Sequence, residues 1–512
     1  MKKILAILLS VILAISAAVP CFAANDKCDC GQPPIIYVAA LGSGDVIRDE
    51  GTENERVLFR PDTGDVLKDF VPLIAALPLL VITKNYDSFG DVLISCVNKV
   101  FGDLALDGNG NSKPNVTSEK FHPDTADHGD GRSYYFGYDF RLDPVENAQK
   151  LHAYIEEVKE LTHHDTVRFR ASSMGGVVAM SYIRLYGTAD IETIIFQCCP
   201  IQGTAVAGEL YNGKFEINKD ALIRYGSQAL PALGSGFGAD LGAGLLYTLI
   251  EVFEFCGVFD FLLSIADRLV DNLLDRVYDE CLIPIFGTLP GIWSFVPDEY
   301  YESGKIFMGL DSNTQAGLIK KLDFYHYEVQ CKAEELLKGA QAQGTTVYIL
   351  CGYNMQRTPL VTAYMETSDA TVDTKYASCG ATCAKLGSTL GDGYKQQKLT
   401  DKNYLSPDGV IDASTCILPE STWFVKDMLH CKIHSGHDEL YSWMFASDKQ
   451  LTVFDNEKFP QFLQNDTVNN TLTPVTAPEG PINDAVNRAI YSTSILNVVR
   501  MLFAFVNPII AK

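Results

Sequence analysis

The chain has 512 residues, 47% hydrophobic and 21% charged, enough to bury a large core. Its formal net charge of −23 argues against nucleic acid or an anionic membrane as the main partner, and no Lys/Arg cluster offsets it. Residues 1–23 read as a secretory signal peptide, with Lys2-Lys3, an apolar run from Ile4 to Val19, and Cys21-Phe-Ala23 before the expected cleavage after Ala23. That run is too short and its exit too small-residued for a retained anchor. Losing Lys2 and Lys3 takes the net charge from −23 to −25. Of the 14 cysteines, 13 remain after cleavage, so at least one thiol is free or pairs between molecules. The close pairs Cys28/Cys30, Cys198/Cys199 and Cys379/Cys383 have no zinc-ribbon spacing, and structural disulfides or buried thiols are expected.

After a short polar lead, Pro34 to Ala40 reads as a strand, followed by the tight loop Leu41-Gly-Ser-Gly44. Residues 70–105 carry helical spacing. Leu106 to Pro114 is a turn-rich loop whose Asp107, Asn109 and Asn111 resemble a calcium loop. Ser118 stands where a bidentate Glu would be needed, so it reads as a solvated loop. Tyr134 to Phe140 is a strand, and a helix runs from Glu146 to Leu161. Thr166 to Ala171 is a strand, Gly176 to Leu185 a helix, and Thr193 to Pro200 a further strand. This βαβαβ alternation predicts a mostly parallel sheet with helices on both faces. From Ala205 to Tyr301 apolar helical runs such as Leu241–Ile250 and Phe259–Leu274 take over. An insertion at this point overlies the strand carboxyl ends, so it reads as a cap whose apolar underside contacts lipid. Strand character returns at Gly344–Gly352 and Ser421–Met428, a helix follows over Asp438–Ala446, and a final amphipathic helix is expected near Ala485–Phe505. The expected division is 1–23 signal peptide, 24–204 core, 205–335 helical insertion, 336–450 core, and 451–512 C-terminal extension.

The chemistry centres on Ala171-Ser-Ser-Met-Gly175, between a strand and a helix. This is the Gly-x-Ser-x-Gly nucleophile-elbow pattern of the α/β-hydrolase fold, with Ala in the first small position and Ser173 at the turn. Small neighbours let two backbones approach at a sharp turn. The N–H of Met174, at the helix start, faces the place where an oxyanion would form. The Gly-rich loop at Leu41 sits where this fold places its second donor. Arg168 and Arg170 are unusual in a strand expected to be an apolar run.

A Ser nucleophile needs a base, and the base an orienting acid, in the chain order Ser, Asp or Glu, His. Only His326, His430, His434 and His437 follow Ser173. His326 lies among tyrosines and reads as structural. The other three follow the last expected strand.

Tyr138-Asp-Phe-Arg-Leu-Asp-Pro144, the Ser-Met-Gly-Gly elbow, Pro290-Gly-Ile-Trp-Ser-Phe-Val-Pro297 and Asp408-Gly-Val-Ile411 together resemble the lecithin:cholesterol acyltransferase family over most of residues 34–445. The resemblance implies a catalytic acid at Asp408, with Asp392 and Asp412 as rivals, and a base at His437, with His430 as rival. It places the first oxyanion donor at the Leu41 N–H, and makes Asp139 and Arg141 an ion-paired scaffold. The chain departs from the family at Ala39-Ala40, where Pro-Gly is usual, and at Ala171-Ser172-Ser173, where Gly-His-Ser is usual. The implied activity is acyl cleavage or transfer on lipid or other carboxylic esters through an acyl-enzyme, with no metal or organic cofactor. Two weaker alternatives are a non-catalytic binding protein on the same scaffold and a metal site at His430, His434 and His437, which Ser435-Gly436 disfavours by breaking a helix. Nothing in the sequence sets an oligomeric state.

Overall fold

A single central sheet of eight strands carries the fold. In chain order these are β1 (Ile35–Val38), β2 (Ser133–Phe136), β3 (Val167–Ser172), β4 (Ile191–Gln197), β5 (Thr346–Tyr353), β6 (Thr422–Lys426), β7 (Phe462–Asp466) and β8 (Thr471–Pro474). The computed structural model describes residues 27–477 apart from residues 29, 60–68, 129–131, 219, 223, 226–227, 229–267, 269–270, 433–435 and 467–468. The spatial order is β2-β1-β3-β4-β5-β6-β7-β8. Every neighbouring pair is parallel except β7 with β8.

Side-chain alternation explains why both faces are covered. Along β4 and β5, Ile194, Phe196, Val347, Ile349 and Cys351 enter one core, while Ile195, Tyr348 and Leu350 enter another. The first core takes helices α1 (Pro144–Thr162), α2 (Met174–Tyr186) and α3 (Ala333–Ala342). The second takes α4 (Asp438–Phe445), through Leu440, Tyr441 and Met444. The chain is therefore an α/β protein, as its alternation of elements suggested. Helix α1 starts where Pro144 removes an N–H that would be orphaned anyway, and the Asp143 carboxylate accepts from Val145 N.

The two arginines of β3 have partners. Arg168 forms a forked ion pair with Glu192 at the start of β4, at 3.1 and 3.2 Å. The Arg170 guanidinium lies over the Tyr441 ring at 4.2 Å from its centroid. With the Gln197 carboxamide oxygen turned toward them, that oxygen accepts from Arg170 Nε at 2.8 Å and Tyr441 OH at 2.7 Å. A neighbouring strand acid and an aromatic slot replace the apolar pairs usual in such a strand.

β7 and β8 lie inside 451–512, so part of the expected extension completes the sheet. They escape detection because each is an edge-ward strand of four or five residues with polar side chains interleaved. Between β4 and β5 the described elements are helical, and Trp293, Tyr301, Leu318 and Leu322 join in a core of their own. The run Leu241–Ile250, most of Phe259–Leu274, the expected signal peptide and the helix expected near Ala485–Phe505 lie outside the described residues. Among the described residues no helix is long and apolar enough to cross a membrane.

The topology also selects a location. β1 leads to β2 on one side, while β3 leads to β4 on the other. Neighbouring β1 and β3 thus send their connections in opposite directions, which opens a crevice at their carboxyl ends.

Candidate active site

Ser173 stands at that crevice, one residue past β3 and immediately before α2. Its backbone holds φ 51° and ψ −121°, a conformation that an L-residue adopts only under constraint. The constraint is local packing. A Cβ on Gly175 would lie 2.1 Å from the Val38 carbonyl oxygen, so the turn closes against the end of β1 only with glycine there. A Cβ on Gly176 would lie 2.4 Å from Cys199 Sγ. Ser173 N donates to the Gln197 carbonyl at 3.0 Å, tying the turn to β4 as well.

The serine hydroxyl meets an imidazole. Ser173 Oγ lies 2.8 Å from His430 Nε2, and His430 Nδ1 lies 2.8 Å from Asp369 Oδ2. A carboxylate only accepts, so the Nδ1–H donates to Asp369 and Nε2 keeps the lone pair that accepts from the serine hydroxyl. His430 follows β6 by four residues and sits in a short 3₁₀ turn, His430–Lys432. Asp369 lies beyond the end of β5, and its position is fixed three ways. Oδ1 accepts from Thr371 N at 3.0 Å and Val372 N at 2.7 Å, and the Asp369 carbonyl accepts from His430 N at 2.8 Å. A Cβ on Gly352 would come within 2.5 Å of the Asp369 Cβ, so glycine at the end of β5 makes room for the acid. Ser173, His430 and Asp369 are all buried. Cys198 is buried beside Asp369 and His430, and burial, followed by the Asp369 charge, pushes its thiol well up, so it stays protonated.

The expected base and acid lie elsewhere. His437 is the residue before α4, with a left-handed φ of 64°. Burial, then the Arg170 charge, pushes its imidazole down to about 4, and its Nε2 has no hydrogen-bond partner among the described residues. It is a neutral ring wedged at a helix start. Asp408 ties the loop after Ser406 to the sheet. It accepts from Ser406 Oγ at 2.7 Å, from Tyr353 OH at 3.0 Å at the end of β5, and from Lys426 Nζ at 2.9 Å at the end of β6. Burial works to raise its carboxyl, but the Ser406 and Lys426 hydrogen bonds and the Lys426 charge outweigh it and hold the group below its ordinary value. Of the rival acids, Asp392 is exposed, and Asp412 is spent on Tyr394 OH, Gln397 N and Ser414 N. His434 lies outside the described residues, and His430 is engaged by Ser173 and Asp369.

Comparison of the chain with protein-family models and with curated proteins finds no match.

The remaining expectations place as follows. Met174 is buried and heads α2, where the first N–H groups have no partner within the helix. Leu41 lies in the exposed turn after β1, next to the β1 end on which Gly175 packs. Asp139 and Arg141 form the buried forked ion pair expected of them, at 2.7 and 3.0 Å. Arg141 carries the Phe140–Leu142 turn, whose Arg141 carbonyl accepts from Gly291 N at 3.1 Å. A Cβ on Gly291 would lie 1.9 Å from the Phe140 oxygen and 2.9 Å from Met174 Cε. Three of the segments singled out in the sequence thus converge behind the Ser173 turn. His326 is structural, stacked on Tyr301 at 3.7 Å and bonded to Asp298 and Gln330.

Sequence reasoning passed over Asp369. Chain order allows any acid between β5 and β6, and Ser368-Asp-Ala-Thr-Val372 carries no Asp-Gly turn to draw the eye. The usable signals are Gly352 at the end of β5, which frees space, and the Asp-x-Thr/Val run whose N–H groups can hold a carboxylate.

Proposed function

We propose that the chain is a serine hydrolase of α/β-hydrolase fold, secreted through residues 1–23, that cleaves or transfers acyl groups of lipid or other carboxylic esters. The observation that carries this reading is the relay Asp369–His430–Ser173, with both links at 2.8 Å and the serine held in a strained turn at the carboxyl end of β3. His430 Nε2 takes the hydroxyl proton as Ser173 Oγ attacks the ester carbonyl. Asp369 stabilises the imidazolium that forms and holds its tautomer. The oxyanion is received by the Met174 N–H, with Leu41 N–H as second donor, each worth about 3 kcal/mol in comparable sites. Protonated His430 returns its proton to the leaving alkoxide, leaving an acyl-Ser173. Water or an acceptor alcohol, deprotonated by His430, then releases the acyl group.

Residues 205–335 are assigned as the cap over this crevice, and the order of motifs supports a relation to the lecithin:cholesterol acyltransferase family. A lipid substrate is favoured by the helix Val71–Thr83, which has no charged residue and leaves Val71, Leu79 and Ile82 exposed. The test is hydrolysis of p-nitrophenyl esters of graded chain length beside Ser173→Ala. The expected result is activity that favours long chains and disappears in the variant. Equal activity in both proteins would remove Ser173 as nucleophile.

A further inference from the structure

A second cluster of reactive side chains lies outside this site. Cys28, Cys30, His128 and His164 bring their four donor atoms within 4.8 Å of one another. They come from three separate stretches: the N-terminal lead, the loop that precedes β2, and the junction between α1 and β3. No spacing pattern in the sequence could therefore reveal them. We propose that these residues bind one structural zinc ion as a closed Cys2His2 site.

The geometry fits the ion. Zinc at about 2.3 Å from sulfur and 2.0–2.1 Å from nitrogen in a tetrahedron sets sulfur and nitrogen about 3.5 Å apart. Cys30 Sγ lies 3.5 Å from His128 Nε2 and 3.4 Å from His164 Nε2, and Cys28 Sγ lies 3.8 Å from His128 Nε2. The tautomers fit as well. His128 Nδ1 is 3.0 Å from the Ala126 carbonyl, and His164 Nδ1 is 3.0 Å from the Thr162 carbonyl. A carbonyl only accepts, so both rings carry their proton on Nδ1 and turn the Nε2 lone pair into the cluster. This is the outer support that zinc-bound histidines need. Gln32 N donates to Cys30 Sγ at 3.4 Å, and the Gln32 carbonyl lies 3.6 Å from the same sulfur. Two sulfurs and two imidazoles in a tetrahedron suit zinc better than the oxygen-seeking cations.

The site's place assigns its role. All four positions are filled by protein, leaving none for a substrate. His164 precedes β3, whereas Ser173 follows it, so the length of the strand, about 20 Å, separates the two sites. What the ion joins is the lead before β1 to the amino-terminal end of β3. The same docking is begun by the Lys27–Asp165 ion pair and by Cys28 N donating to the His163 carbonyl at 2.9 Å.

The test is metal content of the purified full-length protein after incubation with zinc and removal of loose metal. The expected result is one zinc per chain, falling below a tenth of that in a Cys30→Ser/His128→Ala double variant. Cobalt substitution of the wild-type protein decides the question if the variant does not fold. A tetrahedral ligand-field band with a thiolate-to-cobalt charge-transfer band supports the site. Wild-type protein that holds less than a tenth of an equivalent of zinc overturns the proposal. So does a mass spectrum showing Cys28 and Cys30 locked in disulfides after purification under zinc. Neither readout depends on Ser173 or on esterase activity.

Discussion

Replacing Asp369 by Asn isolates the part of the relay that the geometry specifies most tightly. Asp369 Oδ1 accepts from two backbone N–H groups, at 3.0 and 2.7 Å, and Oδ2 accepts from His430 Nδ1 at 2.8 Å. An Asn carboxamide keeps its oxygen on the two N–H donors, because the amide nitrogen cannot accept from them. Its NH2 must then face His430 Nδ1. That nitrogen becomes the acceptor, the ring proton moves to Nε2, and the imidazole can no longer take the proton of Ser173. The same tautomer reversal in a serine hydrolase relay costs about 10⁴-fold in kcat, which is about 5.4 kcal/mol of transition-state stabilisation. The fold should be intact, since volume and backbone hydrogen bonds are preserved. Asp408→Asn, assayed beside it on the same p-nitrophenyl ester, should keep kcat within a few-fold of wild type. A variant pair with the opposite ranking would refute the assignment of Asp369.

Asp408→Asn should instead lose stability by about 1–3 kcal/mol at pH 7, because it weakens the charged hydrogen bonds to Lys426, Ser406 and Tyr353. Its folded carboxyl is held below the ordinary value, so that difference is present above about pH 4 and shrinks as pH falls through the folded pKa, which urea titrations at several pH values can follow. His437→Asn should leave kcat within about twofold of wild type, since its Nε2 has no hydrogen-bond partner among the described residues and Asn tolerates its left-handed φ of 64°. Burial lowers the folded pKa of His437 from 6.5 to about 4. Its neutral form therefore favours folding above pH 6.5, and that contribution is lost as pH falls from 6.5 toward 4. Thermal melts should show wild type losing Tm relative to His437→Asn across that window. Gly175→Ala puts a methyl 2.1 Å from the Val38 carbonyl and should cost about 1–3 kcal/mol by displacement of the turn, with activity lost along with it.

How much of this was readable before folding depends on the range of the interaction. The Ser173 turn was legible because strand period, small residues and helix period meet within fifteen residues of chain. The Asp139–Arg141 pair was legible because its partners are two residues apart. The base was not. His430 and His437 follow the same strand, and only the left-handed turn at His437, with its ring buried beside Arg170, turns it away from hydrogen bonding to the relay. The acid was harder still, since Asp369 and Asp408 both lie between β5 and β6, each held by several hydrogen bonds. A turn motif pointed to the one whose partners are Tyr353 and Lys426. The cluster of Cys28, Cys30, His128 and His164 was invisible for the same reason, because its members span residues 28 to 164 and meet only in the fold.

The central claim is that Ser173 is a nucleophile activated by His430. Its most direct test is labelling of the purified protein with a fluorophosphonate, read by peptide mass mapping and by labelling rate. The account predicts a single adduct on Ser173, a rate lower by about 10³-fold or more in His430→Ala, and a wild-type rate in His437→Asn. An unlabelled Ser173 in folded wild-type protein, or full-rate labelling in His430→Ala, would contradict it.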